Sequence, residues 1–143
     1  MRAFGPYLTR IGVLLLLGTP LAAAANASSQ IEHASVFAVG GVGYAGTMSE
    51  GEKSLRAVLK QSDAAARLES LLPHASFAGE LYILLGLRLR DRAAYKRVMA
   101  RYAKQDGTVE TMRGCTVGRE SFRDLVRQID HGAFDAPIRQ PAW

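Results

Sequence analysis

The segment from Phe77 to Leu89 constrains the fold most, because apolar residues lie on nearly every side of the helix it would form. A helix without a polar face is stable in water only when other elements surround it. Ser76 is a suitable N-cap, since its hydroxyl can accept a hydrogen bond from a first-turn N–H. Gly79 and Gly86 lower the helical propensity, and we interpret them as points where another helix approaches closely. The sequence therefore predicts a buried central helix.

Two helices are predicted before this central helix, from apolar residues that recur every third or fourth position. The first covers about residues 49–60, where Ser49 and Glu52 have the spacing of a capping box. The second begins at Ser62, a suitable N-cap. It ends at Pro73, because proline cannot continue a helix. The two connections are short, which favours antiparallel neighbours.

Two more helices are predicted after the central one. The first begins at Asp91, a good N-cap, and ends at Gly107. The second runs from about Arg119 to Gly132, with its apolar residues again on one face. Between them, residues 108–117 mix threonine, valine and methionine with charged residues, which fits either a loop or a short strand.

The N-terminal 27 residues have the three-part layout of a secretory signal peptide. Arg2 and Arg10 supply positive charge, residues 11–17 are apolar, and small residues permit cleavage after Ala24 or Ala27. The alternative is a retained membrane anchor, but a span needs about 20 apolar residues. There is no twin-arginine pair. We therefore predict Sec-type export, a periplasmic or secreted location, and no stable transmembrane span after cleavage.

These segments predict an all-α fold. It is a small bundle of about five helices in antiparallel pairs, preceded by a cleaved signal peptide and a glycine-rich extended segment. The predicted organisation is a signal peptide over 1–27, a flexible lead-in with the glycine-rich loop over 28–48, a helical domain over 49–132 and a loose tail over 133–143. A chain of this size can bury enough surface to fold without disulfides or metal.

The net charge and the spacing of the histidines give no indication of a nucleic-acid partner or of a metal site. Removal of the leader takes away Arg2 and Arg10 and lowers the formal net charge of +5 by two. The remaining positive charge is too weak to indicate nucleic acid. The three histidines are far apart, and none has the helical i, i+4 spacing of a metal site. We therefore predict no nucleic-acid partner, no metal and no cofactor.

Residues 41–46 (GVGYAG) fit the pattern G-x-G-x-x-G and follow the apolar run at residues 36–39. Dinucleotide-binding loops occur in this context, because their glycines let backbone N–H groups reach a pyrophosphate. The segments that follow are predicted to be helical, so the parallel sheet of a dinucleotide-binding fold cannot form. We interpret these residues as an irregular loop, or a short strand with a turn, that could contact a partner.

Cys115 is the only cysteine, so the chain has no internal disulfide. Its neighbours fit a tight turn in which the cysteine is a small buried residue. A reactive thiol and an intermolecular disulfide are the alternatives. A thiol hydrolase would need a nearby base, and nothing in the sequence places His33, His74 or His131 beside Cys115.

Basic side chains dominate residues 88–104, where only Asp91 opposes them. At helical spacing, neighbouring members line up on one side. This side is either a solvated helix face or a contact for an anionic surface. The candidate contact residues are Arg92, Lys96, Arg97, Arg101 and Lys104.

The sequence therefore predicts an exported helical protein that acts as a binding or structural module of the cell envelope. Its partner would be an envelope protein or an anionic surface, contacted by a helix face or the glycine-rich loop. No catalytic residue is predicted, and an enzyme is the less favoured interpretation. The alternative function is a small secreted hydrolase or thiol enzyme that uses Cys115.

Overall fold

The computed structural model describes residues 20–140, which form seven α-helices, one 3₁₀ turn and a three-stranded sheet. In chain order the elements are α1 (Pro20–Glu32), β1 (Val36–Phe37), α2 (Glu50–Leu59), α3 (Ala64–Leu71), the 3₁₀ turn (Leu72–His74), α4 (Phe77–Arg90), α5 (Arg92–Tyr102), β2 (Thr108–Arg113), β3 (Thr116–Ser121), α6 (Phe122–Asp130) and α7 (Asp135–Arg139).

Helix α4 is the centre of the core, as its sequence predicts. Every residue from Leu81 to Arg88 is buried. Helices α1, α2, α3, α5 and α6 all contact it. A Cβ at Gly86 would press against Leu55 of α2 and Leu68 of α3. The prediction that glycine in this helix marks a close approach is therefore confirmed.

Side-chain caps fix most of the predicted helix starts. The hydroxyl of Ser76 accepts a hydrogen bond from the Gly79 N–H, and the Asp91 carboxylate accepts two from the first turn of α5. Ser49 caps α2 by accepting from the Glu52 N–H. The predicted cap at Ser62 is wrong, because Asp63 occupies the N-cap of α3 and makes no side-chain cap bond.

The prediction of an all-α helical bundle is wrong, because the described residues form a mixed α/β fold. The strand order is β1-β2-β3, with β1 parallel and β3 antiparallel to β2. Residues 108–113 alternate between exposed and buried over most of their length, which is the period of a strand. The predicted last helix begins at Phe122 rather than Arg119, because Arg119 pairs with Glu110 in the sheet.

A turn glycine explains the hairpin. Gly114 has φ +56° and is the first residue of the two-residue connection between β2 and β3. A glycine with positive φ at this position is what a type II′ hairpin turn requires, and its twist suits the paired strands. Residues 108–121 therefore form a hairpin although the segment lacks a strongly apolar face.

The segments around the predicted helical domain also pack on the core. Ile31 of α1 is fully buried, and Phe37 of β1 contacts the rings of Tyr82 and Phe134. Near the C-terminus, Ile138 of α7 is buried.

The predicted domain boundaries and cleavage site stay predictions, and residues 1–19 of the predicted leader lie outside the described residues. Over residues 20–140, no helix combines the length and the apolar character needed to cross a membrane.

Candidate functional site

The glycine-rich loop between β1 and α2 folds back on itself. The Val42 N–H donates to the Thr47 carbonyl at 2.8 Å, and the Gly46 N–H donates to the Gly43 carbonyl at 3.1 Å. Gly43 and Gly46 have φ of +70° and +63°, the left-handed conformation that side chains disfavour. The glycines are therefore explained by the turns of the loop itself.

Glu52 anchors the start of this loop from α2. Its carboxylate is 1% exposed and accepts a hydrogen bond from the Gly40 N–H at 2.7 Å. The other oxygen accepts from Arg56 Nε at 2.9 Å. The Ser49 half of the predicted capping box is present, but the Glu52 side chain bonds to the loop and to Arg56.

Arg56 extends this connection to the C-terminal segment. Its guanidinium donates to the Pro137 carbonyl at 2.6 Å and to the Gln140 carbonyl at 2.7 Å. A cavity of about 410 Å³ lies between the loop, α2 and this segment. Its lining residues include Gly41, Met48 and Lys53. Glu52 therefore holds the start of the loop, and Arg56 links Glu52 to the C-terminal segment.

Tyr82 of α4 supplies a second anchor at the base of the loop. The Ala38 N–H donates to the Tyr82 hydroxyl at 2.9 Å, and the Ser49 hydroxyl lies 3.1 Å from the same oxygen. Ser49 Oγ also donates to the Ala38 carbonyl at 2.7 Å. Burial raises the pKa of Tyr82 above its ordinary value. These neutral hydrogen bonds attach the end of β1 and the start of α2 to the central helix.

The far end of the loop contacts the turn of the β2–β3 hairpin. The Gly43 N–H donates to the Gly114 carbonyl at 2.9 Å. Tyr44 on the loop, Cys115 in the turn and Val117 near the start of β3 are exposed, and we call these three residues the loop tip. Tyr44 is 102% exposed and Val117 is 59% exposed. The structure therefore joins two segments that are about seventy residues apart in sequence and presents apolar side chains from both.

The expectation that Cys115 is buried is wrong, because the residue is exposed in the hairpin turn. The second residue of a two-residue hairpin turn lies beyond the paired strands, where solvent can reach it. His33 directly follows α1, and His74 lies in the 3₁₀ turn after α3. His131 lines a cavity beside α6 to which Cys115 does not contribute. The structure therefore makes the thiol accessible without grouping it with a catalytic base.

The five candidate basic residues lie on α5 and just after it, and all are exposed. Two of them contact other side chains of the same chain. Arg97 forms an ion pair with Glu69 at 2.8 Å, and the Arg101 guanidinium lies 5.7 Å from the centre of the Tyr102 ring. Arg92, Lys96 and Lys104 complete the group.

The loop tip was not predicted as a unit, because the contact between Gly43 and Gly114 leaves no local signature in the sequence. Tyr44 was nevertheless identifiable as unusual, since it is the one aromatic residue within the glycine-rich segment. Comparison with known proteins finds no matching family model, no matching curated protein and no matching solved structure.

Proposed function

We propose that the chain is an exported binding module that contacts a protein of the cell envelope through the loop tip. The observation that carries this proposal is the hydrogen bond from the Gly43 N–H to the Gly114 carbonyl, which joins the loop to the hairpin turn. Beside it, Tyr44 and Val117 are two of the three exposed large apolar side chains among residues 20–140. Tyrosine is enriched among the residues that dominate protein interfaces.

The anchoring of the loop supports this role. Ordering a loop on binding costs free energy, so a loop that is already held in place binds more tightly than a free one. Glu52 and Tyr82 hold the base of this loop, and Gly114 holds its far end. The Leu-rich helix α4 behind Tyr82 supplies a rigid base. The export signal predicted from the first 27 residues favours a partner in the cell envelope.

Site-specific photo-crosslinking tests the proposal. The full chain is expressed in its own host with benzoylphenylalanine at position 44, or at the exposed position 93 of α5 as a matched control. We expect a discrete crosslinked protein from position 44 that is absent from position 93 and is depleted by Val117→Ser. The same product from both positions, or no product from position 44, would contradict a contact at the loop tip.

Two further variants separate the alternative functions in the same assay. Arg97→Glu with Arg101→Glu should leave the crosslink from position 44 unchanged. Loss of that crosslink, together with loss of retention on anionic vesicles, would instead favour the basic face of α5. Cys115→Ser should also preserve the crosslink, whereas a thiol-dependent adduct that disappears in this variant would favour the thiol alternative.

A further inference from the structure

The outward side of α5 is basic along its whole length. Every exposed residue of this helix is arginine, lysine or alanine: Arg92, Ala93, Lys96, Arg97, Ala100 and Arg101. At about 100° per residue, these positions share one half of the helix circumference. The other half packs on the core through Ala94, Tyr95 and Tyr102. We call the exposed half, together with exposed Lys104 just beyond the helix, the basic face.

The carboxylates that border the basic face lie on other elements or at the N-cap of α5: Glu69, Glu80, Asp91 and Asp130. Glu69 pairs with Arg97 at 2.8 Å. Within residues 20–140, the other four basic side chains of the face form no ion pair. With exposed Arg90 at the end of α4, the basic side chains outnumber the bordering carboxylates. No carboxylate projects from the outward side of α5, so an approaching surface meets cations alone.

An exposed aromatic ring lies near the C-terminal end of the basic face. Phe77 is 42% exposed, and it is the exposed large apolar residue among residues 20–140 that does not belong to the loop tip. A Cβ at Gly107 would clash with the Phe77 ring, so the ring lies directly beside a residue three positions after Lys104. Its centre is 5.4 Å from that of buried Phe122, which holds one side of the ring. Cationic side chains and an apolar ring are therefore available at one end of α5.

The shape of this surface favours a flat partner. The outward side of a helix is convex, and alanine at positions 93 and 100 leaves the long arginine and lysine side chains room to reach one plane. Membrane-surface helices combine basic side chains, which meet anionic headgroups, with aromatic or leucine side chains at the acyl boundary. Each basic residue close to an anionic leaflet strengthens binding about fivefold. The basic face and Phe77 supply both kinds of contact.

We propose that the basic face and Phe77 dock the chain on the surface of an anionic phospholipid membrane. Lipid phosphates would accept hydrogen bonds from Arg92, Lys96, Arg101 and Lys104, and the Phe77 ring would enter the headgroup region. Charge complementarity carries the choice of partner, because the outward side of α5 offers cations without a carboxylate among them. This surface is distinct from Tyr44, and the proposal stands whether or not the loop tip binds a protein.

Cosedimentation of the full chain with vesicles tests the proposal. Vesicles with equal amounts of phosphatidylcholine and phosphatidylglycerol are compared with vesicles of phosphatidylcholine alone. We expect binding to the anionic vesicles only, and we expect it to weaken as sodium chloride screens the charges. Absence of binding to the anionic vesicles at low salt would overturn the proposal, as would equal binding to both kinds of vesicle.

Two charge-matched variants show whether the basic face or the net charge is responsible. The first replaces three basic-face residues: Arg92→Gln, Lys96→Gln and Arg101→Gln. The second removes the same charge from exposed positions on other elements: Lys60→Gln, Arg119→Gln and Arg139→Gln. The first should weaken vesicle binding by about a hundredfold and the second by no more than about threefold. Circular dichroism confirms that both variants fold, and equal losses would overturn the assignment to α5.

Tryptophan fluorescence locates the contact. Trp143 is the only tryptophan, so Trp143→Phe provides a background in which Phe77→Trp or Tyr44→Trp introduces a single probe. Anionic vesicles should shift the emission of the probe at position 77 to shorter wavelength and leave that of the probe at position 44 unchanged. A shift at position 44 without one at position 77 would place the membrane contact at the loop tip and overturn the proposal.

An acidic protein is the other partner that a basic helix face could accept. Immobilised polyglutamate is therefore tested beside the vesicles. Retention on polyglutamate that the basic-face variant loses, with no binding to anionic vesicles, would assign the face to an acidic protein and overturn the proposal. The crosslinking result from position 44 does not enter this comparison, so failure of the loop-tip contact and failure of membrane docking are distinguishable.

Discussion

At the scale of single residues, Glu52 connects three segments. Its carboxylate is 1% exposed and accepts hydrogen bonds from Gly40 and Arg56, while Arg56 in turn donates to the chain near Pro137. A buried charge is tolerated only when it is paired and hydrogen-bonded, and removal of one partner leaves the other uncompensated. Glu52 should therefore matter more for stability than the exposed acids of the same helix.

We predict that Glu52→Ala lowers the free energy of unfolding by about 2–4 kcal/mol, because it leaves the Gly40 N–H and Arg56 without their acceptor. Urea denaturation followed by circular dichroism measures this change. Glu50→Ala is the matched control, since Glu50 lies on the same helix with its side chain 76% exposed. Its cost should stay below about 1 kcal/mol. Equal losses in the two variants would show that the Glu52 contacts contribute little.

Exposure of Cys115 leads to a second prediction. Cys115 is exposed at the tip of a hairpin, so native structure should hardly slow the reaction of its thiol. We expect iodoacetamide to alkylate the folded protein within about threefold of the rate in 8 M urea, since access and thiolate fraction set the rate. Mass spectrometry follows the reaction. A native rate about a hundredfold slower would mean that the thiol is protected.

At the scale of elements, the β2–β3 hairpin takes part in two features of the protein surface. Its turn accepts the hydrogen bond from Gly43, and its outer strand borders the cavity beside α6. The turn depends on Gly114, whose φ of +56° is costly for any residue with a Cβ. Conformation at one position therefore controls the register of the hairpin and the placement of the loop tip.

We predict that Gly114→Val destabilises the protein by about 1–2 kcal/mol, the cost of forcing a branched residue into the left-handed region. The amide signal of Gly43 should shift in heteronuclear NMR spectra, because its acceptor moves. Cys115→Ala, the adjacent turn position with no positive φ, should change stability by less than about 0.5 kcal/mol. An unshifted Gly43 signal in Gly114→Val would contradict the coupling of loop and turn.

The Glu120 network predicts a pH dependence for the hairpin. The folded-state pKa of Glu120 lies below the reference value of 4.5, chiefly because Arg113 donates hydrogen bonds to it. The contribution of the ionised Glu120 carboxylate to the free energy of unfolding should be complete above pH 4.5. It should disappear as the pH falls through the folded-state pKa. The stability difference between wild type and Glu120→Gln should therefore shrink on acidification, from at most about 1 kcal/mol for this partly exposed pair.

A double-mutant cycle with Arg113→Gln checks the origin of that dependence. In the Arg113→Gln background, Glu120→Gln should cost less, and its effect should vary less with pH. Chemical denaturation at several pH values provides the measurement. An undiminished pH-dependent effect of Glu120→Gln in the Arg113→Gln background would assign the shift to another group.

At the scale of the whole molecule, two arginines attach the C-terminal segment to the core. Arg88 of α4, with its side chain 8% exposed, pairs with Asp135 at 3.2 Å, and Arg56 of α2 donates to two carbonyls of the same segment. Phe134, directly before Asp135, packs against Phe37. The segment that follows α6 is thus part of the packed structure rather than an appendage to it.

We predict that Asp135→Ala lowers the free energy of unfolding by about 2–4 kcal/mol, because Arg88 then remains buried without a counter-charge. Asp106→Ala is the control, since Asp106 also pairs with an arginine but has a side chain that is 86% exposed. The control should lose less than about 1 kcal/mol. Thermal or urea unfolding compares the two, and similar losses would contradict a special role for the buried pair.

The helices were accessible to sequence reasoning because their signals are local. Apolar spacing over ten or more residues and caps such as Ser76 and Asp91 lie within one segment. The sheet was not accessible in this way, because the parallel pairing of Val36 with Glu110 joins distant segments. A two-residue strand also has no detectable periodicity. The glycine-rich loop was predicted as one of two contact surfaces, but its junction with the hairpin turn was missed for the same reason, since the loop tip exists only after Gly43 meets Gly114.

The parallel pairing of β1 with β2 has a consequence for how the chain acquires its structure. Four helices lie between Val36 and Glu110 in the chain, and they must pack together before these two residues can meet. Pairing of β1 with β2 should therefore be a late step in folding. Helical hairpins with local contacts should appear first. Until the sheet closes, Gly43 cannot meet Gly114, so the loop tip should be completed only in the final stage of folding.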